Sequence, residues 1–167
     1  NALALANVDD EHGAIMLEGI KAKTYTYGFN NLVVGVPSGT PTTKLPDFSE
    51  KLETTLLGGF NEYNALAVYA TAVLLGLDKE KIKEVLKNVT PPKGRFDYFT
   101  SSSGVIVVID YAHTPDALEN VFRAVKEILQ PGGKIISVFG CGGDRDPLKR
   151  RIMGKIEITK VPGPISQ

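Results

Sequence analysis

Hydrophobic positions follow two different spacings along the chain, and these spacings predict strands and helices in alternation. The run 105–109 is apolar and β-branched throughout, which is typical of a strand buried on both faces within a parallel sheet. From residue 116 the apolar positions recur every three or four residues, as on one face of a helix. They are Leu118, Val121, Phe122, Val125, Ile128 and Leu129. The pattern therefore predicts an α/β fold.

The first ninety or so residues carry their own set of predicted elements. The predicted strands cover residues 3–8, 23–30 and 52–57. Residues 30–50 are predicted to form a loop with at most one short strand, at 32–36. The predicted helices cover residues 11–20, 60–76 and 79–86. The helix at 60–76 is so rich in Ala and Leu that we expect most of its circumference to be buried. In the helix at 79–86, we expect Ile82, Val85 and Leu86 to face inward.

Pro91-Pro92-Lys93-Gly94 is the strongest break in the pattern, and it predicts a boundary between domains at 1–92 and 93–167. Beyond it, two strands are predicted to pair across a Ser-Ser-Gly turn, and a βαβα order follows. These predicted elements are strands at 95–101 and 104–110, a helix from Pro115, a strand at 134–139 and a basic helix from Pro147.

Composition narrows the class of protein. Lys and Arg number 19 against 19 Asp and Glu, and this zero net charge argues against a general nucleic-acid surface. The single cysteine, Cys141, excludes an intramolecular disulfide and fits a reducing cytoplasm. No apolar run approaches the roughly 20 residues that a membrane helix needs, and the N-terminus has no signal-peptide pattern. We therefore expect a cytoplasmic protein without membrane contact.

Polar residues collect where the predicted strand 104–110 ends. Asp110 there suits ribose hydroxyls or a metal, or else accepts bonds from nearby backbone N–H groups. His113 either positions an anion or is a satisfied turn histidine. Thr114 fits the N-cap of the next helix with Pro115 at its first position, and free N–H groups beyond it favour an anion.

Two arginines are candidates for ligand contact. Arg95 follows the proline break and either reaches a nucleotide phosphate held by the neighbouring domain or braces the hinge. Arg145, in the glycine-rich turn 140–146, either binds a carboxylate or forms surface pairs with its flanking aspartates. That turn is not a dinucleotide fingerprint, and the sequence contains no Gly-x-x-x-x-Gly-Lys-[Ser/Thr] phosphate loop.

Asn61 and Asn64 begin the Ala-rich helix and either meet an adenine edge or cap the helix. No His, Cys or carboxylate cluster has the spacing of a zinc site, so no metal ligand is assigned. The residues alone indicate a ligand-binding α/β module at a domain junction.

Four motifs together resemble the Mur ligase family of peptidoglycan synthesis, over about residues 3–156. They are Gly59-Phe-Asn-Glu-Tyr-Asn-Ala-Leu-Ala, Gly94-Arg95-Phe96, Asp110-Tyr-Ala-His-Thr-Pro and Phe139-Gly-Cys-Gly-Gly-Asp-Arg-Asp. The first three recur loosely in folylpolyglutamate and cyanophycin synthetases, whereas the last points to the Mur branch that adds a diamino acid. The sequence after Met153 departs from the family pattern.

The resemblance implies part of a cytoplasmic, ATP- and Mg²⁺-dependent amide ligase. Residues 1–92 would be the end of a central P-loop-type ATPase domain, with the phosphate loop and most magnesium ligands upstream, and residues 93–167 a truncated Rossmann-like C-terminal domain. The parent enzyme would add meso-diaminopimelate or L-lysine to UDP-N-acetylmuramoyl-L-alanyl-D-glutamate, the UDP-MurNAc-dipeptide, through an acyl phosphate. We expect this segment alone to be inactive.

The resemblance also assigns roles. Asn61 and Asn64 would meet the adenine, Arg95 the phosphates and Asp110 the ribose. Arg145 would bind a carboxylate of the diamino acid, and His113 and Thr114 would line the cleft near the dipeptide carboxylate. Two alternatives stay open: a folylpolyglutamate- or cyanophycin-type ligase segment, and a non-catalytic nucleotide-binding module. Severed sheet edges also predict self-association.

Overall fold

The computed structural model describes residues 2–29, 42–44, 52–141 and 147–160. The chain divides into two compact units, which are described separately below. The first unit comprises residues 1–56 and 61–89, and the second comprises residues 57–60 and 90–167.

The first unit contains a parallel sheet of three strands in the order β1-β2-β3. The strands are β1 (Leu3–Asn7), β2 (Lys23–Tyr27) and β3 (Thr42–Lys44), with Leu3 opposite Lys23 and Thr24 opposite Thr42. The strands predicted at 3–8 and 23–30 are confirmed over Leu3–Asn7 and Lys23–Tyr27. The predicted helix at 11–20 is wrong, because these residues form turns with a short 3-10 helix at Ile15–Leu17. The strand predicted at 32–36 lies outside the described residues.

Two helices complete the first unit, and both predictions of a helix are confirmed. They are α1 (Gly59–Leu74), which begins in the second unit, and α2 (Lys79–Lys87), whose N-cap Asp78 accepts from the Lys81 N–H. Their core contains Ala65, Tyr69, Ile82 and Leu86.

Of three expectations about these helices and their surroundings, two are wrong. Val85 is 66% exposed, because it lies off the α2 face that carries Ile82 and Leu86. The expectation for α1 holds, because 11 of its 16 residues are buried or half-buried, although Val68 is exposed. Residues 52–57 form no regular strand, because nothing in the described part of the chain pairs with them.

The second unit begins with an antiparallel hairpin. Its strands are β4 (Asp97–Thr100) and β5 (Ile106–Ile109), with Asp97 opposite Ile109 and Thr100 opposite Ile106. This confirms the predicted pairing. The prediction of a strand buried on both faces within a parallel sheet is wrong, since Ile109 is half exposed and β5 pairs only with β4 among the described residues.

The two helices predicted after the hairpin are confirmed, and they pack against each other. They are α3 (Pro115–Ile128) and α4 (Pro147–Lys160), and their shared core contains Leu118, Phe122, Met153 and Ile156. The amphipathic spacing of α3 explains this burial.

The strand predicted at 134–139 is not formed. Ile135 packs against the α3–α4 core, whereas Ile136 and Val138 are 91% and 96% exposed. The segment keeps a two-residue alternation, but no described strand pairs with it, so no ladder of hydrogen bonds forms. No helix in the described residues is long and apolar enough to span a membrane.

Candidate functional site

The candidate site of the second unit begins at Arg95, directly after the Pro91-Pro92-Lys93-Gly94 break. The Arg95 N–H donates to the Pro92 carbonyl at 3.0 Å, and Gly94 has φ of 72°. A hydrogen bond across four residues with positive φ at the third is the geometry of a type II turn, which favours glycine at that position. The turn fixes the backbone of Arg95.

Phe96, the next residue, has an unusual backbone conformation. Its φ is 50°, and no other non-glycine residue in the described part of the chain has a positive φ. This conformation costs about 1–2 kcal/mol for a residue with a Cβ. The Phe96 side chain is only 1% exposed and meets the Phe60 ring edge to face at 5.7 Å, so burial offsets the strain.

Asp110 anchors the strained residue from the carboxyl end of β5. Its Oδ2 accepts from the Phe96 N–H at 2.7 Å, and its Oδ1 accepts from the Ala112 N–H at 2.7 Å. Bonds from neutral donors to a carboxylate are stronger than bonds between neutral groups. The backbone-bonding alternative for Asp110 is therefore realised, and the carboxylate joins the Arg95 turn to the loop after β5.

The Arg95 side chain is exposed and lies over an aromatic ring. Its guanidinium carbon is 5.2 Å from the centre of the Tyr111 ring, a cation–π distance. The His113 ring is tilted against Tyr111 with centres 5.2 Å apart, and His113 Nδ1 lies 3.2 Å from the Tyr111 carbonyl oxygen. His113 thus has a partner within its turn, but its ring remains exposed.

Thr114 caps helix α3 as predicted, because its Oγ1 accepts from the Ala117 N–H at 3.2 Å and Pro115 follows it. The hydroxyl keeps its own proton for another acceptor. The second unit therefore brings four predicted residues into the two joined loops: Arg95, Asp110, His113 and Thr114.

A cleft of about 1150 Å³ opens beside these loops. It lies between β5, α3, the segment 133–141 and the first turns of α4, and most of its wall is apolar. Asp110, Tyr111, His113 and Lys149 contribute polar groups to its lining. An apolar cleft with a few convergent polar groups is the usual form of a ligand site.

The first unit holds the remaining described candidates. Asn61 is buried, and its Oδ1 accepts from the Asn64 Nδ2 at 3.2 Å, while Asn64 itself is exposed at the start of α1. Asn64 can therefore still offer amide groups to a ligand.

Asp9, Phe29 and Tyr63 form a hydrogen-bonded cluster, here called the polar clamp, and Tyr63 directly precedes Asn64. Asp9 Oδ2 accepts from the Tyr63 hydroxyl at 2.8 Å and from the Phe29 N–H at 2.6 Å. Burial, and then the bond to Asp9, raise the pKa of Tyr63 to about 12. The clamp joins the ends of β1 and β2 to α1.

Some predicted features are not brought together. Arg145 lies in 142–146, outside the described residues. No group of three or more His, Cys, Asp or Glu residues that could hold a metal occurs in the described ranges. The sequence analysis assigned no role to Phe96 or Tyr111. Positive φ at a phenylalanine has no sequence signal, whereas Tyr111 adjoins a candidate acid.

Comparisons with known proteins bear on this geometry. Residues 94–158 match the family described as "Mur ligase, glutamate ligase domain". This matched region contains Gly94 and Arg95 of the turn, Asp110 and the loop that follows. Residues 94–158 therefore belong to the Mur ligase family, and the chain as a whole is similar to ligases of that family.

Within that family the chain is similar to the diaminopimelate-adding, or MurE, ligases. It is 42% identical to the UDP-N-acetylmuramoyl-L-alanyl-D-glutamate–2,6-diaminopimelate ligase of Cytophaga hutchinsonii over 93% of this chain and 33% of that protein. It is 40% identical to the ligase of the same name from Clostridioides difficile, over 91% and 33%. A solved structure of a ligase of that name matches with a TM-score of 0.51 and 27% identity, over 96% of this chain and 35% of the other. The chain thus spans about a third of the curated relatives that it matches.

Proposed function

We propose that the chain is part of a cytoplasmic, ATP-dependent ligase that adds 2,6-diaminopimelate to UDP-N-acetylmuramoyl-L-alanyl-D-glutamate in peptidoglycan synthesis. The observation that carries the proposal is 42% identity, over 93% of the chain, to a ligase of that name. The relatives reported above favour diaminopimelate over lysine. They also favour this reaction over that of a folylpolyglutamate- or cyanophycin-type ligase and over a non-catalytic module.

In the proposed reaction, the D-glutamyl carboxylate attacks the γ-phosphate of ATP, forming an acyl phosphate and releasing ADP. The diaminopimelate amine then attacks the acyl carbon, loses a proton and expels inorganic phosphate. Charge accumulates on the phosphate oxygens in the first step and on the acyl oxygen in the second. The protein accelerates such steps mainly by holding the reactants in line and by stabilising these charges.

The residues of the second unit suit the phosphate and ribose side of this reaction. The Arg95 guanidinium is exposed on a fixed backbone and can approach the phosphates. Each Asp110 oxygen already accepts one N–H, but an ionised carboxylate oxygen has a second acceptor direction for a ribose hydroxyl. Asp110 would then bind ribose and hold the arginine turn at once.

The remaining roles stay proposals. His113 and the Thr114 hydroxyl would lie near the dipeptide carboxylate, and Arg145 would bind a carboxylate of diaminopimelate. Asn64, with Asn61 beneath it, would meet the adenine. Residues 1–92 would belong to the central ATP-binding domain and residues 93–167 to the Rossmann-like C-terminal domain. As the family resemblance implies, most Mg²⁺ ligands would lie upstream of this chain in the ligase.

A hybrid ligase tests the proposal. Residues 3–156 of this chain replace the matching third of the Cytophaga hutchinsonii ligase, and tripeptide formation is measured with ATP, Mg²⁺, the UDP-MurNAc-dipeptide and diaminopimelate. We expect product, and we expect Arg95→Ala in the hybrid to reduce kcat by roughly a hundred-fold or more, as for loss of a group that stabilises transition-state charge. A folded hybrid that forms no tripeptide would refute the proposal.

The chain by itself should form no tripeptide, because its sequence has no phosphate loop. The same assay with the 167-residue chain alone checks this, with the unmodified Cytophaga ligase as the positive control. Product above the blank would contradict the assignment of the missing loop to another part of the ligase.

A further inference from the structure

Tyr111 combines high exposure with two specific ring contacts. It is 63% exposed, so burial does not account for its position. One contact is the Arg95 guanidinium at 5.2 Å, and the other is the His113 ring at 5.2 Å. Tyr111 therefore contacts a cation and a second ring at the surface and does not fill a core.

Hydrogen bonds hold the backbone on both sides of the arginine–tyrosine contact. Arg95 follows the type II turn, and Phe96 is held by the Asp110 carboxylate at 2.7 Å. Tyr111 follows the same aspartate directly in the chain. Asp110 therefore sets the spacing of the two residues, and the ring restricts where the long arginine side chain points.

We propose that Tyr111 is a positioning residue for Arg95. Its ring attracts the guanidinium electrostatically and limits its rotamers, so the cation is already in place when a phosphate arrives. This role rests on the proposed function for its consequence in catalysis, but the contact itself does not.

A double-mutant cycle in the hybrid ligase measures the role. Tyr111→Leu should lower kcat/KM for ATP roughly two- to five-fold, the range expected for an exposed cation–π contact. Tyr111→Phe keeps the ring and should recover most of that loss. In an Arg95→Ala background, Tyr111→Leu should cause no further loss, because the group it positions is gone.

The matched control is Tyr98→Leu on strand β4, which should lower kcat/KM equally little with and without Arg95. A loss from Tyr111→Leu that is as large in the Arg95→Ala background as in the Arg95 enzyme would overturn the inference while leaving the proposed function intact. An inactive hybrid would count against the proposed function instead.

A second measurement tests the positioning role of Tyr111 without an activity assay. In NMR spectra of the 167-residue chain, the Arg95 side-chain protons should carry a ring-current shift from Tyr111. Tyr111→Leu should remove that shift and Tyr111→Phe should retain it, with the Phe96 amide resonance near its original position as proof of folding. Arg95 side-chain resonances that stay unchanged in Tyr111→Leu would refute the positioning role, whether or not the hybrid is active.

Discussion

Asp110→Asn offers a sharp test of how the arginine turn is held. The carboxylate accepts from the N–H groups of Phe96 and Ala112, both at 2.7 Å. An asparagine of the same shape has one carbonyl oxygen, so it can satisfy only one of these donors. Its NH₂ group would face the other donor, and no bond can form there.

The expected loss of stability in Asp110→Asn follows from these two hydrogen bonds. Leaving one partly buried donor without an acceptor costs about 1–3 kcal/mol. The remaining bond changes from charge-assisted to neutral and loses roughly half its strength. Together these effects predict a loss of about 2–4 kcal/mol in the free energy that keeps the turn closed. The positive φ of Phe96 adds strain that the weakened site must still hold.

Amide hydrogen exchange on the 167-residue chain measures this loss locally. The Phe96 and Ala112 amides should exchange at least ten-fold faster in Asp110→Asn, while amides in the middle of α1 should change little. Glu127→Gln, an exposed carboxylate-to-amide change on α3, is the matched control and should leave both rates as they are. Unchanged exchange at Phe96 and Ala112 in Asp110→Asn would refute the reasoning.

Three further predictions concern stability and association. Gly13→Ala should destabilise the first unit by about 1–3 kcal/mol, because its Cβ would collide with the Asn7 carbonyl oxygen. Thermal denaturation checks this against Gly59→Ala, where a Cβ meets nothing within 4 Å. Tyr63→Phe removes the 2.8 Å bond to Asp9 and should destabilise the chain by about 1–3 kcal/mol in urea denaturation. Since the pKa of Tyr63 is raised to about 12, its contribution is present below pH 10 and lost as the pH rises from about 10 to 12, a loss that Tyr63→Phe should not show. The chain should self-associate in light scattering at high concentration, since Ile136 and Val138 are exposed; a double change of both to Thr should reduce the association, and a strictly monomeric parent chain would contradict it.

The sequence predicted the elements whose pattern is local. Apolar spacing located α2 and α3, Ala and Leu content located α1, and a basic run after Pro147 located α4. The turn residues between β4 and β5 predicted their pairing. Thr114 and Pro115 marked the start of α3 because capping depends only on neighbouring residues. The segment 134–139 shows the limit, since an apolar alternation gives a strand tendency but a strand also needs a partner for its hydrogen bonds.

The candidate site was predictable in its parts but not in its connections. Arg95, Asp110 and His113 stand out by residue type and by their place after a break or a strand. That Asp110 bonds to Phe96, 14 residues away, depends on hairpin register and on a positive φ that no local pattern encodes. The contact between Arg95 and Tyr111 depends on the same register, so it could not be read from either residue alone.

The bond between Asp110 and Phe96 also limits how the length of this hairpin can change among related proteins. Phe96 directly precedes β4 and Asp110 directly follows β5, so the bond joins the two ends of the hairpin. A residue inserted within either strand would move donor and acceptor apart by about 3.3 Å. Extra residues in the turn at 101–105 would leave both ends in register. Related chains should therefore vary in length at the tip of this hairpin and keep its two arms constant.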